Sequence, residues 1–156
     1  MILFGGIQGS NLFNDIWVLN LSSYIWTNKA TSGDIPSGRS SVTSAIYGDL
    51  MILFGGYVNE GYVNDVYSFN IVTNKFAKVI TSGTSPLKRG YLVSTMYYDK
   101  MVIFGGTGGA PSIRYNDVWT LNFKPSEWSC EASGGNEGTF QRSSNCTISG
   151  TSTTNG

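Results

Sequence analysis

The chain has 156 residues, the size of one ordinary domain. Lys plus Arg and Asp plus Glu number 10 each, so the formal net charge is zero and no basic excess is available to neutralise nucleic-acid phosphates. Histidine is absent, which removes the commonest general base and the commonest transition-metal ligand together and disfavours zinc, copper, haem, Ser-His-Asp and Cys-His chemistry. Charged residues make up 13%, about half the usual ~25%. Gly, Ser, Thr and Asn fill 67 positions instead, and aromatics reach 13%. This composition is not that of a disordered chain; it reads as all-β with many turns.

Met1-Ile-Leu-Phe-Gly-Gly6 opens the chain and returns as Met51-Ile-Leu-Phe-Gly-Gly56 and Met101-Val-Ile-Phe-Gly-Gly106, a step of 50 residues each time. The apolar run predicts a strand buried on both faces, Met51 to Phe54 in the central copy. The Gly-Gly pair lets the backbone adopt positive φ or approach another backbone closely. Asn14-Asp15-Ile16-Trp17 follows and matches Asn64-Asp65-Val66-Tyr67 and Asn116-Asp117-Val118-Trp119. Here Asn-Asp is expected to fix the loop's exit through its own backbone. A second aromatic lies nine residues after the first in every copy: Trp26, Phe76 and Trp128. Pro36 with Arg39 and Pro86 with Arg89 come next, ten and thirteen residues past that aromatic.

Each repeat reads as four short strands, A to D. Arg39 to Tyr47 and Arg89 to Tyr98 are predicted as strand A, with turns at Gly48-Asp49 and Asp99-Lys100. Strand B is the apolar run, and Val66 to Phe69 and Phe76 to Ile80 are predicted as strands C and D. In register, these residues resemble the kelch repeat over about residues 1 to 130. The resemblance implies an all-β fold, a partial kelch-type β-propeller with one four-stranded antiparallel blade per repeat. It also implies protein binding as the role. Val42 and Leu92 stand where many kelch units carry a histidine, a departure expected to cost one structural hydrogen bond.

The expected division is 1–30 as a blade lacking its first strand, 31–81 and 82–130 as whole blades, and 131–156 as a Gly/Ser/Thr-rich tail. Three readings of the tail stay open: disorder, the start of a cysteine-rich module, or strand A of a further blade. The last rests on Arg142-Ser143-Ser144, which repeats Arg39-Ser40-Ser41. Propellers close with about 4–8 blades. About three blades therefore suggest a segment of a longer propeller, or else two chains closing one ring.

Residues present in every copy read as scaffold. Asp15, Asp65 and Asp117 are expected to fix loops, Arg39 and Arg89 to hydrogen-bond between blades, and the spaced aromatics to fill blade cores. Gly105-Gly106-Thr107-Gly108-Gly109 lacks the Gly-Lys-Ser/Thr and the helix that a phosphate loop needs. Function is sought where the copies differ, in the B–C loops Ile7 to Phe13, Tyr57 to Val63 and Thr107 to Tyr115. These carry the candidate partner-binding residues Phe13, Tyr57, Asn59, Glu60, Tyr62, Arg114 and Tyr115. The expected partner is a protein. Carbohydrate recognition, or a non-catalytic piece of a larger kelch-type oxidase or lyase, are the alternatives. No catalytic residue, cofactor or metal is assigned.

No apolar run is long enough to span a membrane, and Met1-Ile2-Leu3-Phe4 lacks the basic start of a signal peptide. Cys130 and Cys146 have the capacity for one disulfide, and Asn20-Leu21-Ser22 and Asn145-Cys146-Thr147 are glycosylation sequons. With the low charge, these features lean toward an extracellular or cell-surface setting.

Overall fold

The computed structural model describes residues 1–109, 111–124, 126–134 and 140–141, with backbone alone at 132–134 and 140–141. Among the described residues every regular element is a β-strand. Strands β1 (Ile2–Gln8), β2 (Asn11–Leu19) and β3 (Trp26–Lys29) form a first sheet in that order. The second sheet takes β4 (Ser32–Gly33), β5 (Thr43–Tyr47) and β6 (Leu50–Phe54). After a short ribbon of β7 (Tyr57–Val58) and β8 (Gly61–Tyr62), it adds β9 (Val66–Asn70) and β10 (Lys75–Val79). Its order is β4-β10-β9-β6-β5.

The third sheet repeats the plan with β11 (Val93–Tyr97) and β12 (Lys100–Phe104). A second ribbon follows, β13 (Thr107–Gly108) with β14 (Ile113–Arg114), and then β15 (Asp117–Phe123), β16 (Ser126–Gly134) and β17 (Phe140–Gln141). The order here is β11-β12-β15-β16-β17. Among these strands the pairings are antiparallel except for β4 on β10. The sheets thus follow one another in the repeating strand order that a partial propeller requires.

The core lies between the sheets, and β6 shows why the apolar run is continuous. Its side chains alternate, as strand geometry requires. Met51 and Leu53 join Phe4 and Ile16 of the first sheet, together with Phe69 and Phe76. Ile52 and Phe54 join Met101, Ile103, Trp119, Leu121 and Trp128 of the third sheet. These four β6 residues are at most 2% exposed. Burying each contributes about 1.5–3 kcal/mol, so this one strand ties its neighbours together from both faces.

Backbone hydrogen bonds set the joint. The Arg39 N–H donates to the Phe13 carbonyl and the Gly6 N–H donates to the Arg39 carbonyl, both at 2.9 Å. The next joint repeats this: Arg89 N–H to Val63 carbonyl at 3.0 Å, and Gly56 N–H to Arg89 carbonyl at 2.9 Å. Gly55 and Gly56 have φ of 67° and 102°. A Cβ on Gly55 would lie 2.5 Å from the Arg89 carbonyl oxygen, so the pair is required both by conformation and by the approach of the next sheet.

Several expectations shift in detail. Strand A begins at Thr43 and Val93 rather than at Arg39 and Arg89, because Ser41 and Tyr91 adopt left-handed φ of 56° and 55° and break the run. Val42 and Leu92, in place of histidine, pack in the interior: their Cβ atoms lie 3.2 and 3.0 Å from where a Cβ on Gly56 or Gly106 would stand. Asn20 accepts from the Ser22 and Ser23 N–H groups at 2.8 and 3.2 Å, and Asn70 does the same for Val72 and Thr73. The first sequon is therefore a recurring turn residue.

The segments joining the sheets also do more than connect. Ser32–Gly33 pairs in parallel with Lys75 and Phe76, strapping the outer edge of the second sheet. Ser82 makes the same parallel bridge to Glu127 on the third. Past Trp128, β16 runs on to Gly134 and β17 folds back against it. Cys130 is disulfide-bonded. Residues 142–149, the candidate further strand A, lie outside the described residues.

Candidate functional site

Between each strand B and strand C the chain forms a hairpin rather than an irregular loop. In the first sheet it is an extension of β1 and β2, with Gly6 opposite Phe13, Ile7 opposite Leu12 and Gln8 opposite Asn11. The other two are the ribbons β7/β8 and β13/β14. Each ribbon is anchored at its base by the segment that carries the repeating arginine. Tyr57 exchanges both backbone hydrogen bonds with Ser40, at 2.8 and 3.0 Å, and Thr107 does so with Gly90, at 2.8 and 2.9 Å.

Beneath each ribbon lies a buried arginine. Arg39 and Arg89 are each 1% exposed. Arg39 Nη1 donates to the Gly55 carbonyl at 3.1 Å and to Asp65 Oδ1 at 2.6 Å, and Nη2 donates to Asp65 Oδ2 at 3.2 Å. Arg89 repeats this on the Gly105 carbonyl and on Asp117, whose oxygens lie 2.5 and 3.0 Å away. A forked guanidinium matches a carboxylate in two parallel bonds, which is why this position needs arginine. The side-chain bonds stay inside one sheet, so the expected interblade role belongs to the arginine's backbone instead. The carboxylates likewise hold a side chain rather than their own loop.

Asparagine reaches the next sheet's entry segment through its side chain, as Thr43 and Ser94 join the second and third sheets through theirs. Asn14 Nδ2 donates to the Pro36 carbonyl and Asn64 Nδ2 to the Pro86 carbonyl, each at 3.0 Å. In the second repeat the Asn-Asp pair therefore divides its labour: Asn64 ties the next entry segment and Asp65 clamps arginine.

The seven candidate residues separate into two groups. Phe13 is 38% exposed and Tyr57 39%, while Asn59, Glu60 and Arg114 are exposed on the ribbons. Tyr62 and Tyr115 are half-buried. Tyr62 meets Tyr57 edge-on with centroids 5.2 Å apart, and its ring stands 3.2 Å from where a Cβ on Gly90 would be. Tyr115 carries the Arg89 guanidinium on its face at 3.9 Å. Burial pushes the Tyr115 phenol above its ordinary pKa of 10.0; Arg89 opposes this and Asp117 adds to it.

The opposite end of the sheets carries apolar exposure that the variable-loop argument passed over. Leu21, Tyr24 and Ile25 sit at the β2–β3 turn, 63%, 77% and 63% exposed, and Tyr97 and Tyr98 lie at the β11–β12 turn. Aromatic residues at the turns were the available signal. Among the described residues no three acidic or cysteine side chains gather to hold a metal. No helix long and apolar enough to cross a membrane occurs among them.

The profile of the KLHDC2/KLHL20/DRC7 Kelch-repeats domain matches residues 1–153. A Rho GTPase-activating protein, gacHH of Dictyostelium discoideum, is 41% identical over 46 residues, 30% of this chain. That stretch is 3% of gacHH, so the likeness is confined to a small part of that protein.

Proposed function

Because this chain belongs to the kelch-repeat family, we propose that it recognises a partner protein through the end of the sheets that carries the three hairpins. Kelch-repeat domains are in general non-catalytic protein-interaction modules. The reading of 1–30, 31–81 and 82–130 as successive blades, with 131–156 beyond them, belongs to the same proposal. One observation carries the choice of face. Tyr57 exposes its ring while its backbone N–H and carbonyl are both bonded to Ser40. An aromatic held on a fixed backbone supplies contact area with little ordering cost on binding. Phe13, Asn59, Glu60 and Arg114, distributed over the three hairpins, add one more aromatic and both signs of charge.

The test is differential capture. The chain, a Tyr57→Ala/Arg114→Ala variant and a Tyr97→Ala/Tyr98→Ala variant are used as baits, after matching thermal melts show that all three fold. A partner retained by the second variant and lost by the first supports the hairpin face. The reverse pattern overturns it.

A further inference from the structure

Asn20, Asn70 and Asn122 occupy one position of the repeat, where strand C gives way to the turn before strand D. Their surroundings differ. Asn122 is half-buried, donates its Nδ2 to the Glu127 carbonyl at 3.5 Å and is followed two residues on by Lys124. Asn70 is half-buried too and accepts from the Val72 and Thr73 N–H groups, but Val72, two residues on, has no hydroxyl. Asn20 makes the same turn with a serine at that place: its Oδ1 accepts from the Ser22 N–H at 2.8 Å and from the Ser23 N–H at 3.2 Å. Asn20 and every residue from Leu21 to Asn28 are exposed. Among the described residues no group accepts from Asn20 Nδ2.

A second observation concerns the compartment. Cys130 is disulfide-bonded, and disulfides form and persist in secretory and extracellular settings while being rare in the cytosol. The secretory route is also where Asn-x-Ser/Thr is read as a glycan acceptor. We propose that Asn20 is an N-glycosylation site, taking an oligosaccharide from a lipid-pyrophosphate donor. Asn20 Nδ2 bonds to the anomeric carbon of the first sugar. That carbon's bond to the pyrophosphate oxygen breaks, and its electron pair leaves with the lipid pyrophosphate. One Nδ2 proton passes to a base of the transferase. The two N–H groups on Oδ1 polarise the carboxamide in the direction that proton loss requires. The turn is local, since its remaining bonds run from the Tyr24 N–H to the Asn20 carbonyl and from the Asn20 N–H to the Ile25 carbonyl. It can therefore form in a chain still emerging into the compartment. A glycan rooted here would shield Leu21, Tyr24 and Ile25, the exposed apolar group of this turn. The hairpins lie at the other end of the sheets, so this inference does not depend on the hairpin-face reading.

The test is secretion of the full chain by a eukaryotic cell behind an added leader, followed by peptide mass spectrometry. The peptide containing Asn20 is expected to carry an N-linked glycan and, after enzymatic release in heavy-oxygen water, to return with a labelled aspartate at that position. Ser22→Ala removes the hydroxyl while keeping the N–H that Asn20 holds. It is expected to abolish the modification and to leave the thermal melt of the deglycosylated protein unchanged, whereas Ser22→Thr is expected to keep the glycan. A bare Asn20 in the secreted chain overturns the proposal, as does modification that survives Ser22→Ala. Alkylation of Cys130 in the secreted chain without prior reduction overturns it as well, since the oxidising setting is then lost from the argument.

Discussion

The guanidinium carbon of Arg89 lies 3.9 Å from the centroid of the Tyr115 ring, while both terminal nitrogens of Arg89 hold Asp117. One buried cation thus joins the exit of the β13/β14 ribbon to the start of β15. In the second sheet, Arg39 stands 5.3 Å from the ring of Tyr67 instead, on strand C itself. The two equivalent arginines are therefore roofed from different places, and it is the β13/β14 ribbon whose exit residue lies on the guanidinium.

Tyr115→Ala should consequently cost stability. A desolvated cation–π contact is worth up to about 2 kcal/mol, and ring burial adds to it. Urea unfolding should show a loss of about 2–3 kcal/mol. Tyr57→Ala, which removes a partly exposed ring and one edge contact, should stay within about 1 kcal/mol.

Removing a carboxylate should have unequal effects along the chain. Asp65→Ala and Asp117→Ala leave a fully buried guanidinium without its counter-charge, a loss of about 3–5 kcal/mol. Asp15→Ala forfeits one indole hydrogen bond, about 0.5–1.5 kcal/mol for the isolated sheet. Thermal melts of the three variants would rank them. Equal losses would show that Arg39 and Arg89 do not depend on their carboxylates.

The Tyr115 phenol should ionise later than an ordinary phenol, because burial raises its pKa above 10.0. A raised pKa in the folded state means that the neutral form is the one favoured by folding. Its contribution is fully present below the unfolded pKa and is lost as pH climbs through the folded value. Ultraviolet titration should show one late phenol that disappears in Tyr115→Phe. Wild-type stability should fall more steeply than that of Tyr115→Phe above about pH 10.

Gly55→Ala should be among the most damaging single-methyl additions. It places a Cβ 2.5 Å from the Arg89 carbonyl oxygen at a φ of 67°. Positive φ alone costs about 1–3 kcal/mol, and the clash would push the third blade away. Gly48→Ala, also at positive φ but with open space around it, isolates the conformational share. A loss for Gly55→Ala no larger than for Gly48→Ala would contradict the close approach.

The repeat was legible because packing in a stacked-sheet protein imposes the same demands once per blade. The apolar run of β6, the glycine pair and the spaced aromatics appear in sequence for the reasons they appear in the interior. What each polar residue touches was not legible. Asn64 reaches Pro86 and Arg39 reaches Asp65 across 22 and 26 residues, and spacing alone does not say whether such partners share a blade. The hairpins were hidden because two-residue strands leave no periodicity to detect. Of the seven candidate residues, Tyr62 and Tyr115 could not be told from Tyr57 until their neighbours were known.

The parallel strap at Ser32–Gly33 bears on how the chain is made. It covers the outer edge of β10, and it leaves the ribosome well before Lys75 and Phe76, the residues it pairs with. Ser82 likewise precedes Glu127. In the second and third sheets the last strand therefore emerges to find its cap already synthesised, so those outer edges need not stand bare during translation. Exposed edges are where nascent β-proteins pair with the wrong neighbour. The order of segments along the chain thus supplies protection that a separate chaperone would otherwise have to provide.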